Sequence, residues 1–167
     1  TNNNIKFKMI TIGITGSIAS GKSTVAHLMA RKKYPLFSAD NIVSNLYKKK
    51  NFNKILVKKF KLNSKERIKN QIKLILKNKK DNLYKLESII HPFVRKEMIK
   101  FIKKKNKLLF LEIPLLIESK LNMYFDKLIF VEAKKNLRLK RYLKKKGDLK
   151  IFRLLNKRQL SPALKKN

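Results

Sequence analysis

Short apolar runs alternate along the chain with longer stretches in which apolar residues recur every three or four positions. Four of these runs are rich in branched aliphatic side chains and do not alternate with polar ones, which is typical of strands buried on both faces. They cover residues 9–15, 36–37, 108–114 and 127–133. Strands and helices in alternation predict an α/β fold, built on a parallel sheet with helices on both sides.

The segments between these strands carry helical periodicity. Residues 22–33 predict a helix directly after the first strand, and residues 134–166 predict basic helices interrupted near residue 147. Pro92 suits the first turn of a helix, because proline has no N–H group to lose there, so we expect a helix boundary at that residue. The helical stretch 48–105 interrupts the alternation of strands and helices, and we therefore interpret it as an inserted subdomain.

The first predicted strand runs into a loop that carries chemistry. Residues 16–23 (GSIASGKS) match the pattern G-x-x-x-x-G-K-[ST] at every fixed position, with a strand before them and a helix after them. In such a loop the backbone N–H groups and the helix N-terminus hold phosphate oxygens. Lys22 would reach the β- and γ-phosphates, and the hydroxyl of Ser23 would ligate Mg²⁺. The predicted ATP-binding residues are Gly16, Ala19, Ser20, Gly21, Lys22, Ser23 and Thr24.

The placement of glycine favours this interpretation over a chance match in a lysine-rich chain. The chain has four glycines, and three of them, Gly13, Gly16 and Gly21, fall within nine residues. We expect glycine at these positions because the loop needs backbone angles that other residues avoid.

The charge of the chain is extreme, with 44 lysines and arginines against 10 acids and a net charge of +34. Such an excess often accompanies binding to nucleic acid or to an anionic membrane. Here 37 of the 44 are lysine, and the chain also has 16 asparagines and 18 isoleucines, so a bias towards A/T-rich codons explains the skew. The lysines are spread along the whole chain, whereas a nucleic-acid interface would cluster and favour arginine. We therefore predict no specific nucleic-acid partner.

Several classes of protein are excluded by what the sequence lacks. There is no cysteine, which excludes disulfides, thiolate metal sites and cysteine nucleophiles. No stretch reaches the ~18 apolar residues of a membrane-spanning helix, so we predict no membrane partner and a cytoplasmic location. No aspartate lies three residues before a glycine, so the D-x-x-G motif of a GTPase is absent.

Further strings follow the loop in a specific order. They are IGITGSIASGKSTVA (12–26), SAD (38–40), IIHPFVR (89–95), EIPLLIESKL (112–121) and Gln159. In order and spacing they resemble dephospho-coenzyme A kinase, from about Met9 to the C-terminus. The resemblance implies transfer of the ATP γ-phosphate to the ribose 3′-hydroxyl of dephospho-coenzyme A, the last step of coenzyme A synthesis. ATP as co-substrate, Mg²⁺ and dephospho-coenzyme A are the small molecules that it implies.

The resemblance also implies an architecture, a P-loop NTPase three-layer sandwich with a parallel sheet, an inserted helical substrate domain and a lid. On this chain the discontinuous nucleotide-binding core would cover residues 9–47 and 106–139. The insert that binds dephospho-coenzyme A would cover 48–105 and the lid 140–158. Residues 1–8 would form an extension that we expect to be disordered.

Roles for individual residues follow from matched positions. The resemblance implies that Asp40 orients or deprotonates the acceptor hydroxyl. It also implies that Arg141 closes from the lid on the ATP phosphates and acts in catalysis with Lys22. His91 and Arg95 match the motif of the substrate domain, where the fork of an arginine suits a phosphate or pyrophosphate oxygen.

For most of these residues a plainer role stays open. Asp40 also suits the N-cap of a helix, and His91 suits a cap-like position before a helix that starts at proline. Arg141 is otherwise one more solvated cation. Glu112 ends a predicted strand where P-loop folds place a carboxylate near Mg²⁺, often through water, although the family more often has aspartate or an apolar residue there. Glu118 matches a family glutamate or is a charge on the surface of a helix.

The chain departs from the family pattern at several places. Ser38 stands where the family often has a first aspartate, and Lys145 stands where a second lid arginine is common, which keeps the charge but loses the bidentate fork. The family continues after Gln159 through a further strand and helix, so we expect a C-terminally truncated fragment with an upstream extension. Met9 would be the natural start.

Two other functions stay open on the sequence. One is another small-molecule P-loop kinase, such as a nucleoside monophosphate kinase, which turnover with each acceptor would separate. The other is a basic nucleic-acid-binding NTPase, which predicts tight and steeply salt-dependent binding to nucleic acid. A monomer is the default expectation.

Overall fold

A computed structural model describes residues 9–79, 81–104, 106–114, 116 and 118–158. The strands of its sheet are β1 (Ile10–Gly16), β2 (Leu36–Ser38), β3 (Leu108–Glu112) and β4 (Lys127–Val131). The α-helices of the described residues are α1 (Lys22–Ala30), α2 (Ala39–Leu46), α3 (Lys50–Phe60), α4 (Ile68–Asn78), α5 (Asp81–Ile102), α6 (Lys135–Lys144) and α7 (Leu149–Arg158). The four predicted strands are confirmed, with ends shifted by at most two residues.

The four strands form one parallel sheet in the order β2-β3-β1-β4. Their carboxyl ends therefore lie at the same edge, where Gly16 ends β1, Ser38 ends β2 and Glu112 ends β3. In register, Glu112 is paired with Ile14 on one side and with Ser38 on the other. This edge brings together the loop after β1, the start of α2 and the end of β3, at the place where open α/β sheets bind ligands.

Helices cover the sheet on both faces, as the unalternating apolar strands predict. On one face Ala26 and Ala30 of α1 pack with Ile14 and Phe110. On the other face Met98 of α5 packs with the neighbours of Phe110 along β3, since successive side chains of a strand point to opposite faces. The three layers confirm the α/β prediction.

A second apolar cluster lies within the helices that follow β2. It joins helices α2 to α5 through buried side chains that do not belong to the sheet: Leu46, Phe52, Leu56, Ile72 and Leu86. Helix α5 contributes to both clusters, through Leu86 here and through Val94 and Met98 against the sheet. The long helix therefore connects the helical segment to the sheet.

The expected helix boundary at Pro92 is wrong. Helix α5 continues from Asp81 to Ile102 with Pro92 inside it. Interior proline costs about 3 kcal/mol in helix propensity. Residues on both sides of Pro92, namely Leu86, Val94 and Met98, are buried in the two apolar clusters and offset that cost. His91 consequently lies in the interior of a helix and is not a cap.

Two helices follow β4, interrupted near residue 147 as predicted. Asp148 starts the second of them, because its Oδ1 accepts a hydrogen bond from the Ile151 N–H at 3.1 Å. Among the described helices none is both long enough and apolar enough to cross a lipid bilayer. The predicted extension 1–8, the helical signal beyond residue 158 and Gln159 of the family pattern lie outside the described residues.

Candidate active site

The loop between β1 and α1 folds around two glycines with positive φ. Gly16 has φ 152° and Gly21, which precedes the first turn of α1, has φ 105°. Ala19 also takes the left-handed region, with φ 57°, although it carries a side chain. Gly13 differs, because its φ is not in the positive range, and the expectation that it supplies backbone freedom is wrong. An added Cβ there would lie 2.7 Å from Leu116 and 2.8 Å from Leu128, so Gly13 serves close packing.

The side chains of Lys22 and Ser20 face this loop. Lys22 is only 8% exposed, and its Nζ donates a hydrogen bond to the Ser17 carbonyl oxygen at 3.0 Å. The Ser20 hydroxyl is buried and has no hydrogen-bond partner among the described residues. An unpaired buried hydroxyl costs about 1–3 kcal/mol. A phosphate oxygen held by the loop would satisfy it, so the unpaired group fits an anion site.

Ser23 and Glu112 form the closest polar pair at this edge of the sheet. Ser23 Oγ donates a hydrogen bond of 2.6 Å to Glu112 Oε1. Glu112 is 3% exposed at the end of β3, next to the first turn of α1. A hydroxyl and a carboxylate are hard oxygen ligands of the kind that Mg²⁺ takes beside phosphate oxygens. The residues present therefore fit the ion that the loop motif predicts.

Asp40 lies in the first turn of α2 but does not cap it. Ser38 is the N-cap, since its Oγ accepts a hydrogen bond from the Asn41 N–H at 3.4 Å. The Asp40 side chain keeps access to solvent, and the surrounding walls still raise the pKa of its carboxyl, first by desolvation and then through the charge of Glu112. The charge of Lys22 lowers the same pKa and opposes this shift. A carboxyl with a raised pKa is a better acceptor for a hydroxyl proton.

These groups line one cavity of about 850 Å³, a volume within the usual range for small-molecule sites. One wall is the loop and the first turn of α1, from Ile18 to Val25. Asp40, Glu112 and Pro114 form the floor at the sheet edge. A further wall comes from α6, α7 and the link between them: Arg141, Tyr142, Lys145, Leu155 and Arg158.

Two arginines of α6 attach that wall to the loop. Arg141 Nη1 donates a hydrogen bond to the Ser20 carbonyl oxygen at 3.2 Å, so it is more than a solvated cation. Arg138 is 7% exposed, and its Nη1 donates to the Ile18 carbonyl oxygen at 3.3 Å and to Asn156 Oδ1 at 2.8 Å. Its Nε donates to the Ala133 carbonyl oxygen at 3.0 Å.

Arg138 is a residue that the sequence reasoning missed. A signal was present, because Arg138 lies three residues before Arg141 and so on the same side of the helix. Arginine is also scarce here, with seven in the chain.

The remaining predicted residues lie away from the cavity wall. His91 and Arg95 are one turn apart on α5, and neither lines the cavity. Burial lowers the pKa of His91, and the charges of Arg158 and Arg95 lower it further, while Glu87 raises it. Glu118 is half-buried in a turn and not on a helix. The roles of His91 and Arg95 stay predictions.

The sequence matches one family of known proteins over most of its length. Residues 10–152 match the family described as dephospho-CoA kinase. A protein of that name from Bartonella henselae is 37% identical over 165 residues, which cover 95% of this chain and 85% of that protein. Another, from Fusobacterium nucleatum, is 34% identical over 166 residues, covering 92% of this chain and 82% of that protein.

Two solved structures share the fold. A crystal structure of a protein from Thermus thermophilus aligns with a TM-score of 0.73 at 28% identity, covering 95% of this chain and 83% of that one. The structure of dephospho-CoA kinase from Campylobacter jejuni aligns with a TM-score of 0.55 at 25% identity, covering 89% of this chain and 78% of that one.

Proposed function

The chain belongs to the dephospho-CoA kinase family, and from this membership and the geometry of the cavity we infer how its residues carry out the reaction. That reaction is the ATP-dependent phosphorylation of dephospho-CoA in coenzyme A biosynthesis, so the enzyme is a phosphotransferase. A nucleoside monophosphate kinase and a nucleic-acid-dependent NTPase are not favoured by these similarities.

One observation carries the assignment of roles within the site. Lys22, Asp40, Arg141 and the Ser23–Glu112 pair line the same cavity although they come from four separate parts of the chain. Phosphoryl transfer needs these groups together, since its catalysis is mostly positioning and electrostatic stabilisation. The site proposed for the triphosphate of ATP is the loop from Gly16 to Thr24, where the Ser20 hydroxyl would gain a phosphate partner.

Ser23 and Glu112 are the residues that would hold Mg²⁺. When bound, the ion would offset negative charge on the phosphate oxygens of ATP. Lys22 would lie over the same phosphates and would contribute a second positive charge, with Arg141 approaching from α6.

Asp40 is the proposed base. The ribose 3′-hydroxyl of the acceptor would attack the γ-phosphorus, a new O–P bond would form, and the bond from phosphorus to the bridging oxygen of ADP would break. The hydroxyl proton would pass to the Asp40 carboxylate, whose raised pKa suits it to accept that proton. The charge of Lys22 lowers the same pKa and so favours the ionised carboxylate, against the larger effects of desolvation and Glu112.

The division of the chain proposed from the sequence has structural support. The core at 9–47 and 106–139 contains the sheet, and the insert at 48–105 contains most of the second apolar cluster. The proposed lid at 140–158 carries Arg141, Tyr142 and Lys145 on the cavity wall. A lid there would exclude water that would otherwise hydrolyse ATP. A cytoplasmic location and a monomeric state stay predictions from the sequence.

The experiment that tests this proposal measures ADP release from ATP and Mg²⁺ with a panel of acceptors. Dephospho-CoA is expected to accelerate ADP release strongly, whereas AMP, CMP and UMP should leave the rate at its background value. The Lys22→Ala variant is expected to lose the acceleration. Acceleration by a nucleoside monophosphate, with none by dephospho-CoA, would contradict the proposal.

A further inference from the structure

Arg158 ends helix α7 and lines the cavity, although the sequence reasoning assigned it no role. Its side chain is 27% exposed, so most of it is withdrawn from water. Through Glu87 it also contacts helix α5.

Two residues of α5 hold the Arg158 guanidinium in place. Its Nε donates a hydrogen bond of 2.9 Å to Oε2 of Glu87, a carboxylate with only 12% of its side chain exposed. The guanidinium also lies over the ring of Tyr84, 4.9 Å from the ring centre. Tyr84 and Glu87 are three residues apart on one helix, so they present a ring and a carboxylate on the same side. Together they fix the plane and the direction of the guanidinium.

These contacts leave the outer edge of the guanidinium unused. Glu87 accepts a hydrogen bond from the Nε–H, and the ring of Tyr84 covers one face of the guanidinium. Neither Nη1 nor Nη2 donates to any residue in the part of the chain that the structure describes. An arginine presents its N–H groups in a rigid fork that matches the oxygens of phosphate. Here that fork is oriented in advance, which reduces the entropy lost when a ligand binds.

We propose that Arg158 binds a phosphate oxygen of a substrate in this cavity, with Glu87 and Tyr84 as its positioning residues. The inference rests on the proposed function, since both substrates carry suitable groups: the triphosphate of ATP and the pyrophosphate of dephospho-CoA. Desolvation is the main cause of the lowered pKa of His91, and the charge of Arg158 lowers it further, so the predicted acceptor motif on α5 lies within the electrostatic reach of Arg158.

A purely structural role is the alternative, in which Arg158 only ties α7 to α5. The two roles predict different behaviour of Arg158→Gln and Glu87→Gln. Both variants break the ion pair, but only the first removes the fork. Under the structural role the two variants would lose the same affinity. Under the proposal Arg158→Gln loses more.

The test measures binding of ATP with Mg²⁺ and of dephospho-CoA separately, by calorimetry at about 150 mM salt to screen the general positive field. Arg158→Gln is expected to weaken one of the two ligands about tenfold or more, and the ligand affected identifies the source of the phosphate. Arg158→Lys should recover part of that affinity. Arg153→Gln is the matched control, because Arg153 is exposed on the same helix and does not line the cavity.

The outcomes separate this inference from the proposed function. Affinities of Arg158→Gln within twofold of the parent for both ligands would overturn the inference, as would equal losses in Arg158→Gln and Glu87→Gln. If the parent binds ATP but neither binds nor phosphorylates dephospho-CoA, the proposed function fails. The inference about Arg158 is then tested by the ATP affinities of the same variants alone, with the same criteria.

Discussion

Ser23 Oγ and Glu112 Oε1 lie 2.6 Å apart although 89 positions separate the two residues in the sequence. The parallel sheet accounts for this proximity, because β1 and β3 are hydrogen-bonded neighbours and end at the same edge. The pair places a hydroxyl and a buried carboxylate beside the phosphate loop. It is the structural basis for assigning Mg²⁺ to these residues.

Substitution of Glu112 should therefore change the metal requirement. Glu112→Gln is expected to raise the Mg²⁺ concentration needed for half-maximal activity by about tenfold or more, since a ligand or near-ligand carboxylate is lost. Glu97→Gln is the matched control, because Glu97 is a carboxylate paired with Lys100 on the surface of α5. A Mg²⁺ titration of activity checks both variants. An unchanged titration in Glu112→Gln would remove Glu112 from the metal site.

Asp40→Asn should abolish most of the activity without unfolding the protein. Loss of a general base costs about 10²–10⁴-fold in kcat. Because desolvation by the surrounding walls raises the pKa of Asp40, its ionised form costs stability above that pKa, so the neutral variant should be as stable as the parent or more stable at neutral pH. Asp81→Asn changes an acid in the first turn of α5 and should leave kcat unchanged. Lower stability together with full activity in Asp40→Asn would contradict both the role of Asp40 as general base and the stability cost of its ionised carboxylate.

The same pKa shift predicts the acidic limb of the pH–rate profile. Activity needs ionised Asp40 and is lost as pH falls through the pKa of the folded protein. That pKa lies above the ordinary aspartate value of 3.8, so the loss should begin at a higher pH than for an unperturbed aspartate. The profile of kcat/KM against pH measures it. An acidic limb with its midpoint at or below the ordinary aspartate pKa would show that another group controls the reaction.

Arg138→Met should weaken ATP binding and stability together. The substitution removes the hydrogen bonds from the guanidinium to the carbonyl oxygens of Ile18 and Ala133, which costs about 1–3 kcal/mol in the free energy of unfolding. The loop loses a contact that fixes its backbone, so KM for ATP should rise. Arg138→Lys should recover little, since lysine lacks the fork. Denaturant unfolding and ATP kinetics test this, and parental values in Arg138→Met would refute the role.

Gly13→Ala tests the packing beneath the phosphate loop. The new methyl group would lie 2.7 Å from Leu116 Cδ1 and 2.8 Å from Leu128 Cδ2, and such overpacking costs about 1–3 kcal/mol. Leu128 is 43% exposed, so Leu128→Ala alone should destabilise the fold only slightly. Combined with Gly13→Ala, it should recover part of the stability that Gly13→Ala loses. A double-mutant cycle by thermal unfolding measures the coupling, and additive effects would show that the two side chains do not compete for space.

The apolar pattern was sufficient to predict the strands, and the residue spacing of the loop motif was sufficient to predict the loop, because both signals are local. The failure at Pro92 has a nonlocal cause, since burial of Leu86, Val94 and Met98 against two clusters keeps the helix intact across the proline. The misassigned role of Gly13 has a similar cause, because the side chains that crowd it come from distant segments.

Some residues of the candidate site could be predicted from local sequence, and others depend on tertiary structure. The phosphate loop could be predicted from spacing alone, whereas the roles of Asp40 and Glu112 depended on resemblance and on where the strands end. Arg158 carried no local motif and became visible only through its tertiary contacts, whereas the spacing of Arg138 from Arg141 was a sequence signal whose meaning only the contact with Ile18 revealed.

Following the label from γ-³²P-ATP tests whether the enzyme transfers the γ-phosphate to dephospho-CoA. In the presence of Mg²⁺ and dephospho-CoA we expect the label to move to the acceptor and the product to be coenzyme A, phosphorylated at the ribose 3′-hydroxyl. Asp40→Asn and Lys22→Ala should both suppress that transfer. Label that appears only in inorganic phosphate, from a folded chain that binds ATP and dephospho-CoA, would show that the enzyme hydrolyses ATP and does not phosphorylate dephospho-CoA.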